Sequence, residues 1–454
     1  MITLQRKVAV VLSAIGIGLS VMTPVVQAEP TFPADCPSTV QCTVIPAPYV
    51  ANDGNIEDYG NFDKTNRPVD LKITSIVIHD TEGSYQDTVK KFLDSHSYAS
   101  IQYIVKPDGA IVEMVQNRDV AWHAGNWWYN VHSIGIEHIG TAANGASFTP
   151  AMYRASAKLV KYLSNKYGVP LDRGHIIGHD NVPGITAASI PTMHVDPGPF
   201  WDWQQYMFLL GVPSLPTGAP GSGFVTVAPV SPFSKETVTG CFPDTQNCVP
   251  SNAQPTNFVY LRTEPRRDAP LITDPVLGQG TTTIGNNAAR LFYGQTMATA
   301  GPPKLDGGGI WYQVWSNGTR GWFYSPWGAP TGLPASGKSV TPKAGLGTVP
   351  VYGQPVPDKS EFPLDVVSPP SPGSFWIKPA TPLPYVISAG QRYTVIDEKV
   401  PNDYFYAWSS TADRTKFPGD HTVFKGKKTY YEVQLGGRVA FVNAADVDCT
   451  GCSK

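Results

Sequence analysis

Between residues 70 and 206 the spacing of hydrophobic positions alternates between the period of strands and the period of helices. Short runs rich in β-branched residues predict strands, and apolar positions three to four residues apart predict helices. The predicted strands are Ile73–His79, Ile101–Lys106, Ala110–Gln116, Ser133–Ile139 and His175–His179, and the predicted helices are Tyr85–Ser95 and Pro150–Tyr167. This order indicates an α/β domain over residues 70–210, with a mainly β central sheet flanked by helices.

Several polar residues fall at or near the ends of these predicted strands. His79 ends the first strand and His179 ends the last one. The two-residue period of a strand puts His175, Ile177 and His179 on one face. Glu137 interrupts an otherwise apolar strand, and a buried carboxylate needs a partner. Because sites collect at strand ends in open α/β sheets, we expect functional residues there.

Beyond residue 239 the pattern changes to short strands without helical periods, which predicts an all-β C-terminal half. One stretch is repeated: Tyr312-Gln313-Val314, Gly318 and Trp322 recur as Tyr431-Glu432-Val433, Gly437 and Phe441, each 119 positions later. Each copy predicts a hairpin with an aromatic residue at both ends. The segments 211–238 and 331–384 are rich in Pro, Gly or Ser and are predicted to be linkers.

Length and charge narrow the possible classes of function. The 454 residues suffice for two to four domains, and a net charge of −2 with 15% charged residues provides no basic surface for nucleic acid or anionic lipid. Arg6 and Lys7 precede an apolar run over residues 8–21, and Val26-Gln27-Ala28 offers a cleavage site. We therefore expect a signal peptide at 1–28, export, and an N-terminal extension at 29–69. An uncleaved membrane anchor is the alternative.

The six cysteines form three close pairs, Cys36/Cys42, Cys241/Cys248 and Cys449/Cys452. In an exported chain an even number of cysteines in local pairs predicts three small disulfide loops. Cys449-Thr-Gly-Cys452 has the alternative interpretation of a redox or metal motif, although no second Cys-x-x-Cys accompanies it.

Eight of the nine histidines lie between His79 and His194. His179, His194 and Asp196 fall in one turn-rich segment just before Pro197. Imidazole nitrogens and carboxylate oxygens are zinc ligands, and three protein ligands with water are typical of a catalytic site. A surface loop with incidental histidines is the alternative interpretation of this segment.

Five motifs occur in order along the chain: Val77–His79, Ala121-Trp122-His123-Ala124-Gly125, Ser133–Glu137, Gly178-His179-Asp180 and Asp196-Pro197-Gly198-Pro199. Together they resemble the zinc-dependent N-acetylmuramoyl-L-alanine amidases. That family shares a fold with bacteriophage lysozyme-type amidases and animal peptidoglycan recognition proteins. The resemblance covers about residues 71–206 and therefore concerns only the α/β domain.

The resemblance implies a role for each matching residue. His79, His179 and Asp196 match the ligands of a catalytic Zn²⁺. Glu137 matches the catalytic carboxylate, and His194 falls where many members carry a residue that stabilises the transition state. Because residues 185–193 look like an insertion, His194 and Asp196 both remain candidates for the third ligand.

The resemblance also implies a substrate groove. His123, next to Trp122, matches a residue that lines this groove. One motif departs from the family, because the Ser-Ala-His that precedes its hairpin reads Ser100-Ile101-Gln102 here. The role of that family histidine is therefore lost or moved.

In the C-terminal half, residues 257–265 and 310–323 resemble the opening and closing strands of bacterial Src-homology-3-like wall-binding domains. Two such small all-β barrels are expected, at 239–330 and 385–454. Exposed aromatic residues on them would hold the enzyme on the cell wall and raise its effective concentration there. Modules that simply pack against the α/β domain are the alternative.

The expected protein is a secreted, wall-associated zinc amidase. It would hydrolyse the bond between N-acetylmuramic acid and L-alanine, with peptidoglycan or muropeptides as partner. No nucleic acid, no membrane after signal cleavage and no protein partner is implied. Two alternatives stay open: a non-catalytic peptidoglycan recognition protein, and a zinc peptidase that cuts within the stem peptide.

Overall fold

A computed structural model describes residues 32–54, 61–230, 232–242, 245–252, 254–361, 366–367, 380–409 and 421–453. The predicted signal peptide at 1–28 and the expected mature start near Glu29 lie outside the described residues. Part of the predicted linker at 331–384 lies outside them as well. In the described part of the chain, no helix is both long and apolar enough to cross a membrane.

The α/β domain has the predicted strands and helices and five further ones that were not predicted. Its strands are β1 (Cys42–Val44), β2 (Phe62–Asp63), β3 (Ser75–Asp80), β4 (Tyr103–Val105), β5 (Ile111–Glu113), β6 (Val120–Ala121), β7 (Ser133–His138) and β8 (Ile176–Gly178). Its helices are α1 (Tyr85–Phe92), α2 (Trp127–His132), α3 (Pro150–Tyr167) and α4 (Trp203–Leu210). The sequence pattern did not predict β1, β2, β6, α2 or α4. Short 3₁₀ turns lie at Asn52–Gly54, Ser95–Ser97, Gly145–Ser147, His179–Asn181 and Ile190–Thr192.

Local sequence signals fix the ends of α3 as predicted. The Thr149 side chain accepts a hydrogen bond from the Met152 amide, which satisfies a free N–H of the first turn. Pro150 occupies the first turn, where no amide hydrogen is needed. Gly168 ends the helix with φ 75°, a left-handed conformation that glycine adopts without strain. By contrast α1 ends three residues before its predicted end, because Asp94 caps a separate 3₁₀ turn.

The central sheet has the strand order β1-β5-β4-β7-β3-β8. Strands β7, β3 and β8 are mutually parallel, so their carboxyl ends meet at one edge. Alternation along β3 sends Ile76 and Ile78 into the core that contains α3 and α4, whereas Val77 enters a core on the opposite face. His79 follows the alternation of Val77 and therefore belongs to that opposite face.

The C-terminal half is all-β, as predicted, and consists of two strand groups. The first β-module comprises β9 (Phe224–Val227), β10 (Phe258–Tyr260), β11 (Thr273–Asp274), β12 (Gly278–Gln279), β13 (Arg290–Phe292), β14 (Thr296–Ala298), β15 (Lys304–Leu305), β16 (Gly309–Ser316), β17 (Thr319–Pro326) and β18 (Gly332–Ala335). The second β-module comprises β19 (Ser339–Pro342), β20 (Thr348–Tyr352), β21 (Val366–Val367), β22 (Pro382–Ser388), β23 (Tyr393–Ser409), β24 (His421–Gln434), β25 (Val439–Asn443) and β26 (Val447–Thr450), with a 3₁₀ turn at Lys359–Glu361. Whether these modules are SH3-like barrels stays a prediction.

The two segments predicted as linkers contain strands, so that interpretation was wrong at the residues of those strands. Strand β9 lies within 211–238 and pairs with both β14 and β18. Strands β18, β19 and β20 lie within 331–384. Proline misled the prediction: Pro334 lies in β18, an edge strand, where a missing amide hydrogen costs no ladder bond.

The internal repeat is confirmed as two hairpins in the same register. Gln313 faces Trp322 across β16 and β17, and Glu432 faces Phe441 across β24 and β25. The aromatic residues that close the hairpins are buried: Trp322 is 6% exposed and Phe441 is 0% exposed. These two rings are therefore not available on the surface for stacking on a polymer.

Both β-modules pack against the α/β domain. Phe441 shares a core with Val77 and Trp128. Asn126 donates to the carbonyl of Gly353 at 2.8 Å, and Asn257 donates to the carbonyl of Trp201 at 2.8 Å. Of the two interpretations left open by the sequence, these contacts favour modules fixed to the α/β domain.

The predicted disulfides are confirmed. Cys36 is bonded to Cys42, Cys241 to Cys248, and Cys449 to Cys452. The last pair is therefore a disulfide in this structure and not a dithiol metal site. Each bridge closes a loop within one part of the chain, and none joins two domains.

Candidate metal centre

Three functional side chains come from the carboxyl ends of adjacent parallel strands. His79 lies in β3 and is the register partner of Glu137 in β7. His179 follows directly after β8, which pairs with β3 on its other side. The sequence placed these residues at strand ends, and the sheet order brings those ends together.

Asp196 reaches the same point from a loop. The Asp180 amide donates to the Asp196 carbonyl at 2.7 Å, which ties this loop to the end of β8. One carboxylate oxygen of Asp196 lies 3.1 Å from His79 Nδ1, and the other lies 3.1 Å from His179 Nδ1. All three side chains are buried, and their ligand atoms lie within 4.8 Å of one another.

This cluster fits a zinc ion by donor type, proximity and charge state. Burial lowers the pKa of His179 to about 4, so its imidazole is neutral, the form that binds a metal. Burial alone would raise the pKa of Asp196, but the neighbouring His179 holds it well below its usual range, so the carboxylate is ionised. Two imidazoles and one carboxylate are a donor set typical of catalytic zinc.

The geometry separates the two candidates for the third ligand. Asp196 lies between His79 and His179 and is 6% exposed. The His194 side chain is 66% exposed, and its Nδ1 lies 3.5 Å from Asp196 Oδ1. His194 stacks on His179 with ring centroids 4.5 Å apart. The arrangement therefore favours Asp196 as ligand and leaves His194 beside the cluster with a solvent-exposed ring.

Glu137 has an unusual electrostatic environment. Its Oε2 atom is buried and has no hydrogen-bond partner among the described residues. Burial, followed by the negative charge of Asp196, raises the pKa of Glu137 well above its usual range. Leaving a buried carboxyl oxygen unpaired is costly, which makes this atom a candidate for a role in chemistry at the cluster.

His123 and Trp122 lie on the approach to the cluster. His123 Nδ1 is 3.0 Å from His79 Nε2, so it holds the ring nitrogen of His79 that faces away from Asp196. Hydrogen bonding of the second nitrogen fixes the orientation of a metal-binding histidine. Trp122 donates from Nε1 to Asp63 at 2.8 Å. Trp122 and His123 both line the cleft. His123 thus orients His79 in addition to the lining role expected from the sequence.

The remaining histidines lie outside the cluster. His138 is buried on the opposite face of the sheet and contacts Ser156 of α3 at 2.8 Å. His132 packs against Trp128 and contacts the carbonyl of Lys72. His175 lies between Asp172 and Asp397. Histidine clustering along the sequence therefore marks the domain, but only some of these histidines belong to the site.

Sequence reasoning missed two parts of the site. Glu82, three residues after His79, lines the cleft and has φ 47°. The cleft, with a volume of about 690 Å³, is also lined by Phe242, Thr245 and Gly285 of the first β-module. Glu82 carries a carboxylate just after the end of β3, and this position could have indicated a site residue. No local pattern connects residue 242 with residue 79.

One family departure now has a structural explanation. Gln102, which stands where the family pattern has a histidine, is buried and accepts a hydrogen bond from the Gly135 amide at 2.8 Å. Gly135 lies in β7, two residues before Glu137. Gln102 therefore supports the strand that carries Glu137 and does not contact the metal cluster.

Comparison with known proteins identifies relatives of this domain. Residues 69–199 match the family described as N-acetylmuramoyl-L-alanine amidase. N-acetylmuramoyl-L-alanine amidase A of Achromobacter lyticus is 32% identical over 148 residues, a match that covers 30% of this chain and 82% of that protein. The 1,6-anhydro-N-acetylmuramyl-L-alanine amidase AmpD of Citrobacter freundii is 32% identical over 122 residues, which span 26% of this chain and 59% of AmpD.

A crystal structure of a selenomethionine AmpD derivative is also similar. It is 25% identical and covers 37% of this chain and 94% of that one, with a TM-score of 0.30.

Proposed function

This chain belongs to the N-acetylmuramoyl-L-alanine amidase family and is a peptidoglycan amidase, and we propose that it works as a secreted, zinc-dependent enzyme. Its substrate bond is the amide between the lactyl group of N-acetylmuramic acid and L-alanine of the stem peptide. The single observation that carries the zinc dependence is the convergence of His79, His179 and Asp196 beside Glu137.

His79, His179 and Asp196 would hold the zinc ion. When bound, zinc supplies a Lewis acid that polarises an amide carbonyl and makes a water molecule more acidic. His123 keeps His79 in one orientation through the 3.0 Å contact between their ring nitrogens. The ionised Asp196 contributes the negative charge of the ligand set.

Glu137 is the proposed general base and acid. Its unpartnered Oε2 accepts a proton from the attacking water and later donates it to the leaving nitrogen. Burial raises the pKa of Glu137, which favours the second of these two steps, in which the carboxyl group carries the proton to the leaving nitrogen. His194, whose pKa is raised by its interaction with Asp196, would donate to the oxygen that gains negative charge.

Export of the protein has independent physical support. Three disulfides are characteristic of an oxidising compartment outside the cytoplasm. The N-terminal segment has the composition of a cleaved signal peptide. N-terminal sequencing of protein collected outside the cytoplasm should begin near Glu29, and a start at Met1 would contradict cleavage.

Analysis of reaction products tests the proposed function. Purified muropeptides incubated with the protein should yield peptides beginning with L-alanine and sugars that keep the lactyl group. Fragments cut within the stem peptide would support the peptidase alternative, and intact muropeptides with bound protein would support a recognition protein. A chelator should abolish cleavage, and added Zn²⁺ should restore it.

A further inference from the structure

The cleft above the metal cluster is built by two parts of the chain. Most of its lining comes from the α/β domain, but Phe242 and Thr245 come from the first β-module. Its volume of about 690 Å³ is within the range of sites that take a ligand larger than one amino acid. The β-module therefore takes part in shaping the space where substrate binds.

Phe242 and Asn247 are held next to each other beside a disulfide. The Cys241–Cys248 disulfide closes it, and the Phe242 amide donates to the Asn247 carbonyl at 2.9 Å. The half-buried ring of Phe242 packs against the core that contains Phe258. The described residues 241–242 and 245–248 are called the disulfide loop, and the Phe242 ring attaches them to the module.

The same loop is joined to the rim of the metal centre. Asn247 Nδ2 donates to the Glu82 carboxylate at 2.6 Å. That carboxylate also accepts from Thr141 Oγ1 and from the Ala142 amide, both at 2.8 Å. Glu82 has φ 47°, an uncommon conformation for this residue type that persists only where the surroundings enforce it. Glu82 therefore links the disulfide loop to the end of β3, three residues after His79.

We propose that Phe242 and Thr245 form a subsite that binds a sugar ring of the glycan strand, beyond the sugar that carries the scissile amide. The two side chains offer an aromatic face and a hydroxyl group, and neither is charged. The C–H face of a pyranose ring packs on such an aromatic face, and its hydroxyl groups bond to a neutral partner.

The chemistry of Phe242 and Thr245 favours sugar over stem peptide as their ligand. Stem peptides carry carboxylates, which bind best to cations. The lysine that lines the cleft is Lys91, which belongs to α1 and not to the disulfide loop. This proposal rests on the proposed amidase function. It adds that Phe242 and Thr245 bind a sugar ring of the same substrate in the same cleft.

The test compares Phe242→Ala with wild type on two substrates. One is N-acetylmuramoyl peptide with a single sugar, and the other carries the same peptide on a chain of two or more sugars. We expect KM for the longer glycan to rise about tenfold with kcat unchanged, the signature of lost ground-state binding. KM for the single-sugar substrate should stay within about twofold of wild type. Phe233→Ala is the matched control, because Phe233 is 72% exposed on the same module and does not line the cleft.

Asn247→Ala is a second variant that leaves the lining side chains intact. Loss of its bond to Glu82 should loosen the loop and raise KM for the longer glycan only, with an unchanged melting temperature of the metal-loaded protein. Equal effects of Phe242→Ala on both substrates, or none on either, would overturn the sugar subsite while leaving the amidase function intact. If wild type cleaves neither substrate, both the subsite and the proposed function fail.

Discussion

His79 and Glu137 are register partners on the adjacent parallel strands β3 and β7. Direct partners on parallel strands point to the same face of the sheet, so the imidazole and the carboxyl group share the face opposite α3 and α4. This relationship places a metal ligand and a proton-transferring group side by side on rigid elements. Preorganisation of this kind is what makes a water molecule and an amide react at a defined point.

Removal of either histidine ligand should empty the metal site. In His79→Ala or His179→Ala, two ligands remain, and zinc content measured by metal analysis should fall from about one per chain to near zero. Amidase activity should fall with it. His96→Ala is the control, because this side chain is 52% exposed and contacts Asp53 and Asp94 on the surface. Full zinc occupancy in His79→Ala or His179→Ala would contradict the ligand assignment.

Glu137→Gln should separate catalysis from binding. The amide keeps the size of the side chain but cannot accept a proton at neutral pH, so kcat should fall by about 10²–10⁴-fold. Zinc content and affinity for muropeptides should stay near wild type. Loss of zinc in this variant would instead make Glu137 a ligand or a support of the ligands.

Glu113→Gln is a matched control for that variant. Burial raises the pKa of Glu113 to about 8, so this carboxyl group is largely protonated at neutral pH and already resembles an amide. It lies on β5 and accepts a hydrogen bond from the Asp35 amide, which glutamine preserves. Activity and stability should therefore change little, and a large loss of activity would show that glutamine at a buried site is harmful in itself.

The contact between the α/β domain and the second β-module should depend on pH through His175. Burial alone would lower the pKa of His175, but its hydrogen bonds to Asp172 and Asp397 raise it to about 10. A raised folded-state pKa means that the stabilisation is complete below the ordinary value of 6.5 and is lost as pH rises through about 10. His175→Gln should therefore reduce the free energy of unfolding by about 1–3 kcal/mol at pH 6 and by much less at pH 10.

Urea unfolding of wild type and His175→Gln at pH 6, 8 and 10 measures this difference. His96→Gln serves as control, because its weak surface contacts with aspartates give it little to lose. A penalty that stays constant across the three pH values would mean that His175 acts through packing and not through its charge.

Phe441 should stabilise both parts of the chain at once. Its ring lies 4.9 Å from that of Trp128, so the second β-module fills space in the core of the α/β domain. Phe441→Ala should reduce the free energy of unfolding by about 3–5 kcal/mol. Calorimetry should show a single transition for both parts of the chain, with a lower midpoint temperature than in wild type. Trp327→Ala, at a residue 57% exposed, should stay within about 0.5 kcal/mol. Two separate transitions, with that of the amidase domain unchanged, would contradict a shared core.

The sequence by itself determined the main strands and helices of the α/β domain and most of its chemistry. Helix α3 could be placed residue by residue because its signals, Thr149, Pro150 and Gly168, act within one turn of where they stand. The positions of His79 and His179 at strand ends followed from local periodicity in the same way. Local signals of this kind remain readable because they do not depend on what the rest of the chain does.

Only the tertiary structure decided how distant segments combine. It put Asp196 between the two histidines and left His194 in solvent, a choice that the spacing of two residues could not make. Strand pairing formed strands within the segments that were predicted to be linkers. The tertiary structure also brought Asn247 to Glu82, which is 165 positions away in the sequence. Such contacts depend on strand pairing and on the fit of two surfaces, to which every residue of both surfaces contributes. No periodicity or spacing within one segment carries that information.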